Sequence, residues 1–163
     1  MKKLLTFILA TAIMTVSAAV QSNLKKIYNE EIDPVEQIDK ALKQAQKEGK
    51  FVISQVGGNW CRWCLMFADF VAKDDELTNF INEHFIFIHS NYNPRERAGE
   101  KTLEMLDKLG NPERFGFPVF VVMDQTGKVI HTQDSSYLEE GNGYNRDKVA
   151  RFFQNWTPEA VRK

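Results

Sequence analysis

Apolar residues first recur at helical spacing over residues 33–49. Val35, Ile38, Leu42 and Ala45 make one stripe opposite a polar face of Gln37, Lys40, Lys43 and Lys47, which predicts an amphipathic helix. Asp33-Pro34-Val35-Glu36 predicts its start: Asp33 caps, Pro34 suits the first helical position and Glu36 completes a capping box. Gly49 ends it. Phe51-Val52-Ile53 is then a short run of strand formers that leads through Gly57-Gly58 into a second helical stretch from Cys61, with Leu65, Ala68, Phe70 and Val71 over about three turns. The loop between strand and helix is expected at the edge of the sheet. A further segment opens at Asp74-Asp75 and carries Leu77, Phe80, Ile81 and His84. Phe85-Ile86-Phe87-Ile88 is apolar at every position rather than alternating, the mark of a fully buried strand.

In the second half, residues 94–109 carry Leu103, Leu106 and Leu109 in a helical pattern that stops at Gly110, with Pro112 as a breaker. Phe117-Pro118-Val119-Phe120-Val121-Val122-Met123 turns through Asp124-Gln125-Thr126-Gly127 into Val129-Ile130-His131-Thr132, a hairpin signature. A polar stretch at 134–145 precedes a last helix from about Arg146, with Val149, Phe152, Phe153 and Trp156 inward and Pro158 closing it. Residues 20–32 fit a short strand around Leu24 to Tyr28 or a simple tether, and their pattern does not separate the two.

Composition narrows the class. With 163 residues, 43% hydrophobic and 26% charged, the chain suits one globular domain. Its 21 basic and 22 acidic residues nearly cancel, so no long-range field points to nucleic acid or an anionic membrane. Lys2 and Lys3, the apolar run Leu4 to Val16 and the small residues Ser17, Ala18 and Ala19 match the three regions of a secretory signal. Cleavage after Ala18 or Ala19 is expected, since the run is shorter than the ~18 to 20 residues of a membrane span. The expected organisation is a signal at 1–19, a tether or short strand at 20–32 and one domain at 33–163. The mature chain is then exported, to the periplasm if the host is a Gram-negative bacterium, where disulfides form and persist.

Cys61 and Cys64 are the two cysteines of the chain and stand three apart in Gly58-Asn59-Trp60-Cys61-Arg62-Trp63-Cys64. One such pair after an apolar strand and at a helix start has the spacing of a redox dithiol, whereas a structural framework uses several separated pairs. Cys61 is expected to attack: unsatisfied N–H groups and the helix dipole stabilise its thiolate below the free value of ~8.5, with Arg62 adding positive charge. Cys64, about one turn further in, is the expected resolving thiol, kept neutral by burial until it is needed. Trp60 reads mainly as scaffold. Trp63 reads equally as packing or as an apolar rim for a polypeptide.

The order of elements resembles the thioredoxin fold over residues 33–156, a central mixed β-sheet flanked by helices. Trp60-Cys61-x-x-Cys64, the pre-strand Phe117-Pro118 and the Asp124-x-x-Gly127 turn carry the likeness. Met66 behind the second cysteine and Asn82-Glu83-His84-Phe85 are similar to exported thioredoxin-like proteins of the thiol:disulfide interchange type. The resemblance implies a cis Phe117–Pro118 bond facing the dithiol, with the Phe117 backbone free to pair with an extended substrate. Without it, a proline that starts an edge strand is the plainer reading. The resemblance also implies reduction or isomerisation of disulfides in exported proteins, electrons from a membrane donor and no cofactor beyond the dithiol. One departure stands out: thioredoxins carry a buried acid six positions before the first cysteine, and here that position is Gln55, which cannot accept a proton.

Two other functions fit parts of the sequence. Cys61, Cys64 and Met66 are soft donors suited to Cu(I), and His84, His89 or His131 would have to complete such a site. No second Cys-x-x-Cys or close His pair gives zinc spacing, so no metal is expected. A redox-inert binding domain that keeps the fold is the third reading.

Overall fold

A computed structural model describes residues 24–162; the expected signal at 1–19 lies outside the described residues. A four-stranded sheet in the order β2-β1-β3-β4 forms the middle layer, from β1 (Phe51–Gly57), β2 (Phe85–Asn91), β3 (Val119–Met123) and β4 (Val129–Asp134). β1 runs parallel to β2 and antiparallel to β3, and β3 pairs antiparallel with β4, so the sheet is mixed.

All seven residues of β1 are buried, because neighbouring strands pair with both its edges while helices cover both its faces. On one face Val52 and Val56 pack with Val119, Val121 and Met123 of β3. Over them lie Ile38, Ala41, Leu42 and Ala45 of α1 (Pro34–Glu48) and Met105 and Leu106 of α4 (Glu100–Lys108). On the other face Ile53, Phe120 and Val122 meet side chains of three helices. These are Phe67 of α2 (Arg62–Ala72), Ile81 of α3 (Asp75–His84), and Phe152 and Phe153 of α5 (Arg146–Asn155). Burying one such side chain contributes about 1.5–3 kcal/mol, against about 0–1 kcal/mol for an exposed ion pair. The aromatic contacts therefore seat α2, with the rings of Phe67 and Phe120 centred 4.5 Å apart.

Several expectations change. The dithiol lies beyond the C-terminal end of β1, an interior strand, and not at an edge of the sheet. β2 is an edge strand, so only Phe85 and Ser90 in it are fully buried. Residues 94–99 are not helical; α4 begins after the N-cap Gly99, because this charged run offers nothing to bury. Leu103 is exposed and Met105 takes the inward position. Asp33 caps α1 by accepting from the N–H groups of Val35 and Glu36. Glu36 does not complete a box and pairs instead with Lys40 at 2.9 Å. No strand forms around Leu24 to Tyr28; this segment lies along the site described below.

The hairpin turn forms as expected: the Asp124 carboxylate accepts from Thr126 and Lys128 N–H, and Gly127 adopts φ 87°. The 134–145 stretch is not a bare loop. It contains a 3₁₀ turn at Ser135–Leu138 and the short pair β5 (Glu139–Glu140) and β6 (Gly143–Tyr144). Pro158 opens a last helical turn, α6 (Pro158–Val161), capped by Thr157. Among the described residues no helix is long and apolar enough to cross a membrane.

Candidate active site

At the end of β1 the chain turns through Gly58-Asn59-Trp60, and the N–H of Cys61 donates back to the Gly58 carbonyl at 3.0 Å. Cys61 is the N-cap of α2, and its Sγ accepts from the Cys64 N–H at 3.2 Å. A sulfur thus occupies the place where a capping oxygen usually meets the unsatisfied helical N–H groups, the position that stabilises an anion. Cys61 and Cys64 form a disulfide with Cα atoms 5.3 Å apart. Cys61 retains 6% of its surface and Cys64 none, so an incoming thiol or disulfide meets Cys61 first.

The loop is tied down on one side. Trp60 donates its indole N–H to the Tyr92 carbonyl at 2.9 Å, and the Tyr92 N–H donates to Gly57 O at 2.6 Å. Trp60 and Tyr92 both pack on Phe117, and the Arg95 guanidinium sits 5.7 Å from the centre of the Trp60 ring. Phe117 packs against the cluster that holds both cysteines. The Phe117–Pro118 bond is cis, and β3 starts at the next residue. β3 pairs with strands on both sides, so Pro118 does not begin an edge strand.

The structure therefore gathers Cys61, Cys64, Trp60 and Phe117 in one place, with Pro118 adjoining. Trp63 also packs against the cluster that holds both cysteines, and its ring meets Tyr144 edge-on at 5.7 Å while its carbonyl accepts from Tyr144 Oη at 3.1 Å. The polar 134–145 stretch thereby braces the active-site helix. Arg62 is exposed at the first helical position.

Sequence reasoning missed the residues behind the dithiol. Asn59 clasps the N-terminal segment: its Oδ1 accepts from the N–H groups of Ile27 and Tyr28, and its Nδ2 donates to Tyr28 O and Glu30 Oε1. This lays the Tyr28 ring, 5% exposed, into the cluster with Cys61, Cys64 and Leu65. Apolar Leu24, Ile27 and Tyr28 in a polar stretch were the available signal. Gln55, fully buried, donates from Nε2 to Tyr28 Oη at 2.8 Å and to the Cys64 carbonyl at 3.1 Å, while its Oε1 has no partner. Burial pushes the Tyr28 phenol far above its ordinary range, partly offset by the Gln55 bond.

A cavity of about 260 Å³ runs behind Gln55, lined also by Phe67, Thr78, Ile81, Phe87 and His89. His89 stands opposite Gln55 in the β1–β2 register, against the edge of the Tyr28 ring, and burial lowers its pKa to about 4. The other two histidines lie elsewhere: His84 beside Glu159 at 3.4 Å, and His131 stacked on Trp156. Among the described residues no three His, Cys, Asp or Glu side chains come together as a metal-ligand group.

A family model described as Thioredox_DsbH, protein of unknown function, DUF255, matches residues 15–158. Among solved structures, the disulphide isomerase from Xylella fastidiosa Temecula1 is 26% identical with a TM-score of 0.69, covering 81% of this chain and 97% of its own. A structure titled DsbH Oxidoreductase is 18% identical with a TM-score of 0.51, covering 80% and 84%, and shares the fold. Among curated proteins, none matches the chain.

Proposed function

Because this chain belongs to the DsbH-type thioredoxin family and is a thiol-disulfide oxidoreductase, we propose that it acts outside the cytoplasm, reducing or isomerising disulfides of exported proteins. Residues 1–19 direct export and are removed, 20–32 form a tether whose described part, from Leu24, is docked on the site, and 33–163 form the catalytic domain. Reducing electrons come from a dithiol donor in the membrane. The difference between the two cysteines is the observation that carries this reading. Cys61 Sγ faces a helical N–H and keeps the pair's only exposed surface, while Cys64 is enclosed.

In the dithiol form the Cys61 thiolate attacks a substrate disulfide, and one substrate sulfur leaves as a thiol. Cys64 then attacks Cys61 Sγ, closes the Cys61–Cys64 bond and releases the second substrate sulfur. Phe117 lies just before the β3 ladder begins at Val119, and its backbone pairs with an extended substrate segment. Trp60 and Pro118 hold the wall on which that segment lies, and Arg62 adds positive charge at the mouth. Support for an isomerising or reducing role comes from the likeness to the Xylella isomerase and from the exported interchange proteins that the motif resembles.

Replacing Cys64 by Ser tests the reading. Cys64→Ser is expected to accumulate mixed disulfides through Cys61 with exported proteins, seen by non-reducing electrophoresis and mass spectrometry and absent from the Cys61→Ser/Cys64→Ser double variant. Failure of Cys64→Ser to form any adduct would overturn it.

A further inference from the structure

The resolving thiol is fully buried in the first turn of α2, and Gln55, bonded to its carbonyl, cannot take up or supply its proton. A second buried group, the Tyr28 hydroxyl, lies over the same glycine as the Cys64 sulfur. A Cβ placed on Gly57 would stand 2.5 Å from Cys64 Sγ and 2.8 Å from Tyr28 Oη, so the sulfur and the hydroxyl oxygen are no farther apart than these two lengths together. Glycine at 57 leaves both atoms room over the backbone. Gln55 Nε2 must donate to the Cys64 carbonyl, which has no hydrogen of its own, and the same NH₂ group donates its second hydrogen to Tyr28 Oη. The phenolic hydrogen is not used in that bond and is left to donate. Asn59 fixes the backbone on both sides of the Tyr28 peptide, so the segment that carries the ring cannot lift away without breaking three hydrogen bonds.

We propose that Tyr28 is a positioning and hydrogen-bonding residue of the active site: once the disulfide opens, its hydroxyl donates to Cys64 Sγ and stabilises the Cys64 thiolate. The N-terminal tether thereby completes the site with a part that the cysteine-bearing helix does not supply. Hydrogen bonds to an ionised partner are about twice as strong as neutral ones, so the contact favours the charged sulfur over the thiol. The phenol itself stays protonated throughout, because burial holds its hydroxyl hydrogen in place. In the resolving step the Cys64 electron pair forms the new bond to Cys61 Sγ, and the bond from Cys61 to the substrate breaks. The departing substrate sulfur takes that electron pair and the proton that Cys64 gave up. No further oxidant or reductant enters.

This inference rests on the exchange reaction proposed above and is tested separately from it. In a Cys61→Ser background Cys64 is the sole thiol, and its ionisation is followed by ultraviolet thiolate absorbance against pH. Adding Tyr28→Phe, which keeps the ring and its packing, is expected to reduce the thiolate fraction at a given pH about tenfold, a shift of about one pH unit or 1.4 kcal/mol. With Cys61 present, Tyr28→Phe is expected to slow release of a preformed mixed disulfide by a similar factor. Asn59→Ala, which frees the tether, is expected to shift Cys64 in the same direction and serves if the Tyr28 variant does not fold. Titrations that coincide within twofold in every folded variant would overturn the role of Tyr28. A merely structural role would lower the melting temperature and leave the titration unmoved. Adducts trapped by Cys64→Ser alongside an unmoved titration would remove Tyr28 and leave the exchange reaction standing.

Discussion

Two atoms define the catalytic end of the molecule, and residues that touch them set their difference. Cys61 Sγ meets a helical N–H, while Cys64 Sγ lies over Gly57 with the Tyr28 hydroxyl beside it. Gly57 does not sit in the left-handed region, so what it supplies is space and not backbone freedom. Gly57→Ala is expected to force Cys64 Sγ or Tyr28 aside and destabilise the oxidised protein by about 1–3 kcal/mol, the usual cost of overpacking. Thermal unfolding of the oxidised protein checks this, and an unchanged melting temperature would contradict the close approach. The cysteines were legible in the sequence because chemistry ties them to a spacing. Tyr28 and Asn59 were not, since their meeting depends on a contact across about thirty residues that no local pattern encodes.

At the scale of elements, what could be read was whatever local physics decides. The Asp33 cap, the Gly49 stop, the Asp124–Gly127 turn and the amphipathic stripe of α1 are fixed by neighbours within a few residues, and each appears where the pattern put it. Errors came where the rest of the sheet decides. The all-apolar run at Phe85 to Ile88 looked fully buried, but β2 has a partner on one side only and its middle residues keep part of their surface. The Leu103 periodicity was extended back to Pro94 across a charged run with no surface to pack against. At 134–145 the polar composition hid Tyr144, which packs on Trp63, Phe67 and Phe70 and fastens a distant segment to the active-site helix.

For the molecule as a whole, two helical layers make the sheet a rigid mount, and an N-terminal segment with no ladder of its own is bound across the mount's catalytic end. His89 lies under that segment and couples the fold to pH. Its folded pKa is about 4 against an ordinary 6.5, so below pH 6.5 the unfolded chain takes up a proton that the folded chain refuses. The stability it contributes is complete above pH 6.5 and falls away as pH drops towards 4, by roughly 3 kcal/mol in all. Urea midpoints at pH 7 and pH 4.5 are expected to differ more in the wild type than in His89→Gln; an equal difference in both would exclude His89 as the source.

The exchange chemistry itself depends on an ionised, reachable Cys61 beside an enclosed Cys64. The most direct test is the alkylation rate of each cysteine in the reduced protein across pH, resolved by peptide mapping. Cys61 is expected to react rapidly, with a midpoint well below the ~8.5 of a free thiol, while Cys64 reacts slowly. Equal, slow alkylation of both, with the midpoint of an unstructured thiol, would contradict it.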